Sequence, residues 1–435
     1  MSSNHDKTLK IRVAIIYLIM AAGSLAGVGL IQLFGFLIFL MFVISSNVRD
    51  GMAQIMILVP NIAVMSISSG SGLLGLAFII MIFKIISDRQ NRISIWPMCL
   101  ISLTYLLSLS FLRIFDGNYY DFALSVQVAL VVVTWTSLLK KMSAKNAVEY
   151  IDFFRFGCLL MAMGMLIGYP FGEEQIGRFR AIGDDCNYTG AVMSVLLGVS
   201  LLTYCYKLPL KHNLFYMGLA SLMGLATGSR GFMLSIAIIL TILLFTRSFG
   251  KKSAKIVIVI LFLMAVAYAL YLAGVGPVVT LYDNTIGRTM ELEENHKDGD
   301  FMDVTSGRTV LWAYYMAQAL KDTSILYFGR GFNGYFLETN GGFGLAAHNM
   351  YVSSIVGIGV IGTVFVLLMY FSILKFGFIK RYGRINWAFS SIIISLLVNY
   401  FFLDGMLELR LITYHAMVGI MMVIYKNNIK NVTQK

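Results

Sequence analysis

The sequence predicts an all-α polytopic membrane protein with roughly 12 to 14 transmembrane helices and one long, partly folded periplasmic loop. Three observations support this fold class. Of the 435 residues, 58% are hydrophobic and 13% are charged, far from the composition of a soluble domain. Apolar runs of about 20 residues, the length that spans a bilayer, recur along the chain. The runs are continuous and not alternating, which favours helices over a β-barrel.

The distribution of charge predicts the orientation in the membrane. The net charge is +12, and Lys and Arg cluster at every second junction between apolar runs. This is the positive-inside pattern, so we expect a multi-pass protein of the bacterial inner membrane with both termini cytoplasmic. The same distribution argues against nucleic acid as a partner. The first apolar run is longer than a signal-peptide core and is interpreted as a retained helix.

The predicted spans follow from these runs and junctions. Residues 13–47 are too long for one helix and contain Gly23, Gly27 and Gly29, so they are divided into two spans. Pro60 interrupts the stretch 52–67, which is either a kinked span or a re-entrant segment. The remaining predicted spans are 70–86, 95–113, 120–139, 151–171, 188–205, 214–227, 231–246, 256–274, 348–373, 387–403 and 410–425.

Two loops are predicted on the periplasmic side of one membrane domain that comprises residues 1–435. The smaller is 172–187, and the larger is 275–347, which carries nine Asp or Glu against five Lys or Arg, a net charge of −4. A net-acidic loop fits the outer side. The four cysteines, Cys99, Cys158, Cys186 and Cys205, are scattered and are interpreted as packed thiols and not as a disulfide or metal framework.

Arginines in these outer segments are the first candidate site residues. They are Arg178, Arg180, Arg230, Arg288, Arg308 and Arg330. Because Lys and Arg favour the cytosolic side, arginines outside are candidates for binding an anion, and guanidinium pairs in a forked manner with phosphate oxygens. The alternative is that they pair with acids of the same loops or with lipid headgroups. Asp184 and Asp185 are interpreted as a solvated turn, and the Gly-x-Gly-x-x-Gly pattern at 329–334 as a loop unrelated to dinucleotide binding.

His348 is the second candidate, because it precedes a predicted span at the outer face. Asn349 and Tyr351 follow it directly. An imidazole in this position can accept a proton from a sugar hydroxyl near neutral pH. The alternative is an interfacial histidine with a structural role only.

Several short motifs follow one another along the second half of the chain. They are Thr227-Gly228-Ser229-Arg230-Gly231, Ser306-Gly307-Arg308, Trp312, Gly329-Arg330-Gly331, Ala347-His348-Asn349-Met350-Tyr351 and the glycines Gly357, Gly359 and Gly362. In this order they resemble the shared C-terminal region of the bacterial O-antigen polymerase and O-antigen ligase superfamily. The outer loop from Arg178 to Asn187 is similar to a family loop that contains Arg and Asn. The chain departs from the family before Gly329, where Tyr327-Phe328 replaces a frequent proline.

The resemblance implies a metal-independent inverting glycosyltransferase without a cofactor. Its donor would be an oligosaccharide linked to undecaprenyl pyrophosphate. Its other partners would be the membrane lipids and a chain-length regulator protein. By motif, Arg230, Arg308 and His348 are the predicted catalytic residues, and Arg178, Arg180, Arg330, Asn349 and Tyr351 are predicted to assist in substrate binding.

Three functions remain open at this point. The Ile, Phe, Tyr and Met-rich spans favour an O-antigen polymerase, which transfers the glycan to a lipid-linked repeat unit; an O-antigen ligase would transfer it to the lipid A core. A transporter or flippase for lipid-linked oligosaccharide would carry charges within its spans. Here charges gather in outer loops and few lie in the middle of a span. Asp152 and Arg155 lie near a predicted cytosolic end, where they are interpreted as anchors.

Overall fold

A computed structural model describes residues 4–65, 72–88, 93–171, 174–175, 178–245, 269, 272–274, 279, 308–331, 348–373, 387–403 and 409–433. These residues are largely helical, which confirms the all-α prediction for this part of the chain. The α-helices are α1 Asn4–Leu25, α2 Gly29–Ser45, α3 Val48–Leu58, α4 Gly72–Ser87, α5 Pro97–Leu112, α6 Tyr119–Lys141, α7 Ala144–Gly168, α8 Cys186–Cys205, α9 Asn213–Ala226, α10 Arg230–Phe245, α11 Arg308–Lys321, α12 Thr323–Phe328, α13 Met350–Ile373, α14 Trp387–Asn399 and α15 Leu409–Thr433. A short antiparallel pair, β1 Glu174–Gln175 and β2 Arg178–Phe179, precedes α8.

Within the described residues, six helical segments are long and apolar enough to cross a membrane. They are Asn4–Leu25, Pro97–Asp116, Tyr119–Lys141, Ala144–Phe171, Cys186–Cys205 and Met350–Ile373. Shorter apolar helices, among them α2, α9 and the apolar part of α15, accompany them. The chain is therefore an integral membrane protein, whereas the total of 12 to 14 spans stays a prediction. Most of the predicted span 256–274 and most of the loop 275–347 lie outside the described residues.

Two predicted interruptions of the N-terminal helices are confirmed. The first apolar run divides into α1 and α2 at a turn in which Gly27 has a φ of 67°. Next, α3 ends at Leu58, and a 3-10 helix Val59–Met65 containing Pro60 continues the chain. Proline cannot donate the backbone hydrogen bond that would continue α3.

One end of the helix bundle, here called the basic end, is held together by ion pairs and a buried arginine. Arg49 at the start of α3 donates to Asp6 of α1 and to Glu149 of α7, each at 2.7 Å. Arg155 is fully buried, donates to the carbonyl of Lys211 at 3.1 Å and lies 5.0 Å from the ring of Tyr216. It therefore anchors α7 to the start of α9.

The opposite end of the bundle, here called the site end, contains the ends of α5, α9 and α14 and the starts of α6, α8, α10, α13 and α15. A large apolar core fills the space between the helices. A second, smaller apolar cluster packs α11 and α12 against α13; it consists of Tyr315, Ala319, Ile325, Val352 and Val356. This packing fixes the described part of the long loop to the first turns of α13, the helix that follows His348.

Candidate functional site

The smaller predicted loop lies on the turn between α9 and α10, the turn that contains Gly228-Ser229-Arg230. Arg178 Nε donates to the carbonyl oxygen of Thr227 at 2.7 Å. On the other side of the turn, Ser229 Oγ donates to Asn187 Oδ1 at 3.3 Å, and Ser229 is buried. The structure therefore brings the segment with Arg178 next to the start of α10, where Arg230 is the first residue.

Close packing of α8 against this turn depends on Gly190. A Cβ on Gly190 would lie 2.7 Å from the Cβ of Ser229, closer than two carbons can approach without displacement. The preceding residues hold α8 in place, because Asp185 caps the helix by accepting from the Asn187 amide at 2.7 Å. The turn before Arg230 is thus packed between α8 and the loop.

The prediction that Asp184 lies in a solvated turn is wrong. Asp184 is buried, and its carboxylate accepts from Arg410 at 2.6 Å, with both side chains about one-twentieth exposed. Arg410 begins α15 beside Leu409, and its guanidinium carbon lies 3.9 Å from the ring centre of Tyr188. The backbone of Asp184 also accepts from Arg180 at 3.3 Å, so that Arg180 supports this loop. The reason for the error is that the partner of Asp184 is more than 200 residues away in the chain.

Arg230 and His348 both lie next to the end of α14. Gly231 is so close to this helix end that a Cβ on it would be 2.5 Å from Asn399 Oδ1. On the other side, the amide of Met350 donates to the carbonyl of Tyr400 at 2.8 Å. Arg230 and His348 therefore lie one and two residues, respectively, before positions that contact the neighbouring residues Asn399 and Tyr400.

The backbone around His348 is unusual. His348 has a φ of 47°, a conformation that few residues other than glycine adopt. The next residue, Asn349, is buried and caps α13: its Oδ1 accepts from the amides of Tyr351 at 3.0 Å and Val352 at 3.3 Å. The Tyr351 hydroxyl donates to the carbonyl of Leu397 at 2.9 Å. Both side chains thereby position the start of α13, and their contact with substrate stays a prediction.

A buried histidine supports the same region from within the bundle. His415 of α15 is fully buried and donates from Nδ1 to the carbonyl of Leu411 at 2.7 Å. Its Nε2 can therefore accept from the hydroxyl of Tyr400, at 2.8 Å. The imidazole also stacks on Tyr370 with ring centres 4.2 Å apart. Because Tyr400 binds Met350 through its backbone, this contact stabilises the turn that carries His348.

The described part of the long loop places two more predicted residues. Arg308 is the first residue of α11, and Arg330 follows α12 after one glycine. Asp322 connects the two helices and caps α12; hydrogen bonds from Ser324 hold the pKa of its carboxyl below the usual range. The backbone amide of Arg330 donates to the carbonyl of Val356 in α13 at 2.8 Å. Val356 lies six residues after Met350, about 9 Å along the helix axis.

The described candidate residues thus share the site end of the bundle. Arg178 and Arg180 belong to the loop that covers the turn before Arg230, and Arg308 and Arg330 belong to the segment packed on α13. Arg288 lies outside the described residues. Among the described residues, no group of three His, Cys, Asp or Glu side chains is arranged to hold a metal ion.

Sequence reasoning missed three parts of this region: Arg410, the contact between Tyr400 and His415, and the pair Arg113–Asp121 described below. Arg410 had a usable signal, because it begins the predicted span 410–425 on the side that was predicted to face outward, as the other candidate arginines were. The remaining contacts join helices that are distant in the chain and have no signature in a single sequence.

The fold and this arrangement of charges define a polytopic membrane protein with a candidate site at one end of its helix bundle. Residues 215–367 match the family model described as O-antigen ligase, a range that contains α9, α10, α11, α12 and most of α13. This match supports the predicted resemblance to the superfamily of bacterial O-antigen polymerases and O-antigen ligases. No curated protein and no solved structure has significant similarity to it.

Proposed function

We propose that this protein is an O-antigen polymerase that transfers a glycan from undecaprenyl pyrophosphate to a lipid-linked repeat unit at the periplasmic face of the inner membrane. The observation that carries the proposal is the convergence of Arg230 and His348 on the end of α14, inside the region matched by the family. The basic end, which contains Arg49 and Lys211, would face the cytoplasm. The site end would then face the compartment in which lipid-linked glycans are polymerised.

In the proposed reaction, arginines bind the lipid diphosphate of the donor. Arg230 and Arg308 contact the pyrophosphate, assisted by Arg178, Arg180 and Arg330. Guanidinium groups suit this ligand because each can donate two parallel hydrogen bonds to phosphate oxygens. As the bond between the anomeric carbon and the phosphate oxygen breaks, negative charge develops on the leaving pyrophosphate, and these arginines stabilise it.

His348 acts on the acceptor in this proposal. It accepts the proton of the attacking sugar hydroxyl while that oxygen forms the new bond to the anomeric carbon. Attack occurs opposite the leaving group, so the anomeric configuration inverts. The electron pair of the broken bond leaves with undecaprenyl pyrophosphate, and no metal ion is needed because the donor is already activated.

Replacing Arg308 by Gln should lower the transfer rate about a hundredfold or more, because one charged contact to the developing pyrophosphate is lost. The measurement is glycan extension by protein purified in nanodiscs with a lipid-linked repeat unit. Arg12→Gln is the matched control: Arg12 is an exposed arginine at the basic end and should keep full activity. Full activity of the Arg308→Gln protein would contradict the assigned role.

An O-antigen ligase is the second candidate, favoured by the description of the matching family. The two functions differ in the acceptor, so the purified protein is given the lipid-linked repeat unit and, separately, the lipid A core. Longer lipid-linked glycans support the polymerase, and a glycan attached to the core supports the ligase. Movement of the lipid-linked glycan across the bilayer without either product would instead indicate a transporter.

A deletion strain gives an independent result in cells. Loss of the polymer ladder with a single repeat still attached to the lipid core is the outcome expected of a missing polymerase. Loss of all attachment, with polymer accumulating on the carrier lipid, would identify the ligase and overturn the proposal.

A further inference from the structure

Arg113 is a buried arginine at the site end that lies outside the motifs described above. It follows α5, is mostly shielded from solvent, and its Nη1 donates at 3.0 Å to the carboxylate of Asp121. Asp121, in the first turn of α6, is fully buried. A buried arginine and aspartate persist when the charges are paired and the remaining donors find acceptors. The other acceptors of Arg113 are backbone carbonyl oxygens, and their positions indicate the role of the pair.

Helix α13 is interrupted at Gly359, which has a φ of 76° and a ψ of 172°. The interruption removes regular helical partners from the carbonyl groups just before it. Val356 O accepts instead from the amide of Arg330 at 2.8 Å, and Gly357 O from the amide of Gly331 at 2.9 Å. The backbone amides of Arg330 and Gly331 therefore replace hydrogen bonds that α13 loses at its break.

Arg113 joins both sides of this contact. Its Nη1 donates to Gly357 O at 3.0 Å, and its Nη2 donates to Phe328 O at 2.6 Å. One guanidinium thus binds the carbonyl before the break in α13 and the carbonyl two residues before Arg330. No smaller cation could reach both, because the fork of the guanidinium fixes the spacing of its donors.

The packing leaves this segment little freedom. Gly331 has a φ of 100°, and a Cβ on it would lie 2.6 Å from Asp121 Oδ2. Gly329 has a φ of 72°, and a Cβ there would lie 2.4 Å from the Gly357 carbonyl. Arg330 is consequently held between two glycines that lie directly against α6 and α13.

We infer that Arg113 is a positioning residue for Arg330: together with Asp121 it fixes the backbone on both sides of Arg330 so that the Arg330 guanidinium is directed to the donor diphosphate. The inference rests on the proposed function, in which Arg330 assists in donor binding. It also explains why transfer would need the buried pair Arg113–Asp121, which lies outside the matched range 215–367.

Hydrogen exchange of the full-length protein in nanodiscs tests the structural half of this inference. Arg113→Gln should accelerate exchange of the Arg330 and Gly331 amides, because the carbonyl partners in α13 are no longer held in place. Arg113→Lys keeps the charge beside Asp121 but cannot reach both carbonyls, so it should give an intermediate rate and covers the case in which Arg113→Gln fails to fold. Unchanged exchange at these two amides in the Arg113→Lys protein would overturn the inference.

Kinetics with the lipid-linked donor test the functional half. Misplacement of Arg330 should lower kcat/KM about tenfold to a hundredfold. Arg113→Lys should recover part of this loss. If Arg113 acts through Arg330, then Arg113→Gln added to Arg330→Gln lowers kcat/KM by no more than about twofold further. If the two substitutions lower kcat/KM independently, so that their fold-changes multiply in the double variant, the positioning role is overturned. Full activity of the Arg330→Gln protein would overturn it as well.

The same assay separates this inference from the proposed function. If His348→Asn and Arg308→Gln both retain transfer, the proposed function is wrong. If these two variants lose transfer while Arg113→Lys and Arg113→Gln behave as wild type, the function stands and only the positioning role of Arg113 is excluded.

Discussion

Replacing His348 by Asn should lower glycan transfer by about a hundredfold to ten-thousandfold, the contribution typical of a general base. Asn is the informative substitution because His348 has a φ of 47°, and Asn is among the residues that adopt this conformation most readily. The backbone conformation before α13 is therefore preserved. The hydrogen bond from the Met350 amide to the Tyr400 carbonyl is preserved as well. The imidazole that would accept the proton is removed.

The rate is measured with purified protein in nanodiscs and a lipid-linked repeat unit, and the amount of protein in the membrane is measured in parallel. His212→Asn is a matched control, because His212 also has a positive φ, 56°, but lies at the start of α9 at the basic end. It should leave both quantities unchanged. Wild-type rates for His348→Asn would exclude the histidine as the base and leave it with a structural role.

Replacing Arg410 by Met should destabilise the protein by about 3 to 5 kcal/mol, the usual result of removing one partner of a buried ion pair. The change leaves the carboxylate of Asp184 buried without its 2.6 Å partner and removes the guanidinium from the ring of Tyr188. Because Asp184 lies in the loop that Arg178 attaches to the turn before Arg230, we also expect weaker transfer.

The measurement is thermal unfolding in detergent, with the monodisperse fraction after purification as a second readout. Arg12→Met is the control, since Arg12 is exposed at the basic end. The double variant Asp184→Asn/Arg410→Met should recover much of the lost stability, because no unpaired charge remains buried and the amide oxygen can still accept from the Asp185 amide, as Asp184 Oδ1 does at 2.9 Å. Equal stability of the single variant and the wild type would show that the ion pair does not hold the loop.

Together, Arg410 and Arg113 show a common use of buried charge at the site end. Each is an arginine paired with one aspartate, and each fixes a loop that carries a predicted substrate-binding arginine: Arg178 or Arg180 in one case and Arg330 in the other. Loops are more mobile than the helices they connect, so a site built on loops needs such supports. In the proposed reaction these pairs keep the diphosphate-binding groups in position.

Hydropathy was enough to predict the helical class and most helix positions, because a continuous apolar run of sufficient length forms a helix inside a bilayer. It also located the turn before Arg230, the break near Pro60 and the start of the helix after His348, since these depend on neighbouring residues. The family resemblance came from short motifs of the same local kind and is confirmed by the match over residues 215–367.

Which of these local features lie in contact became apparent from the packing of the helices. Asp184 pairs with Arg410 across 226 positions, and Arg113 binds the carbonyl of Gly357 across 244. Helices in a membrane are apolar on nearly every face, so hydropathy says little about which helices are neighbours. Contacts between buried polar groups supply that information, and they exist only when the bundle has assembled.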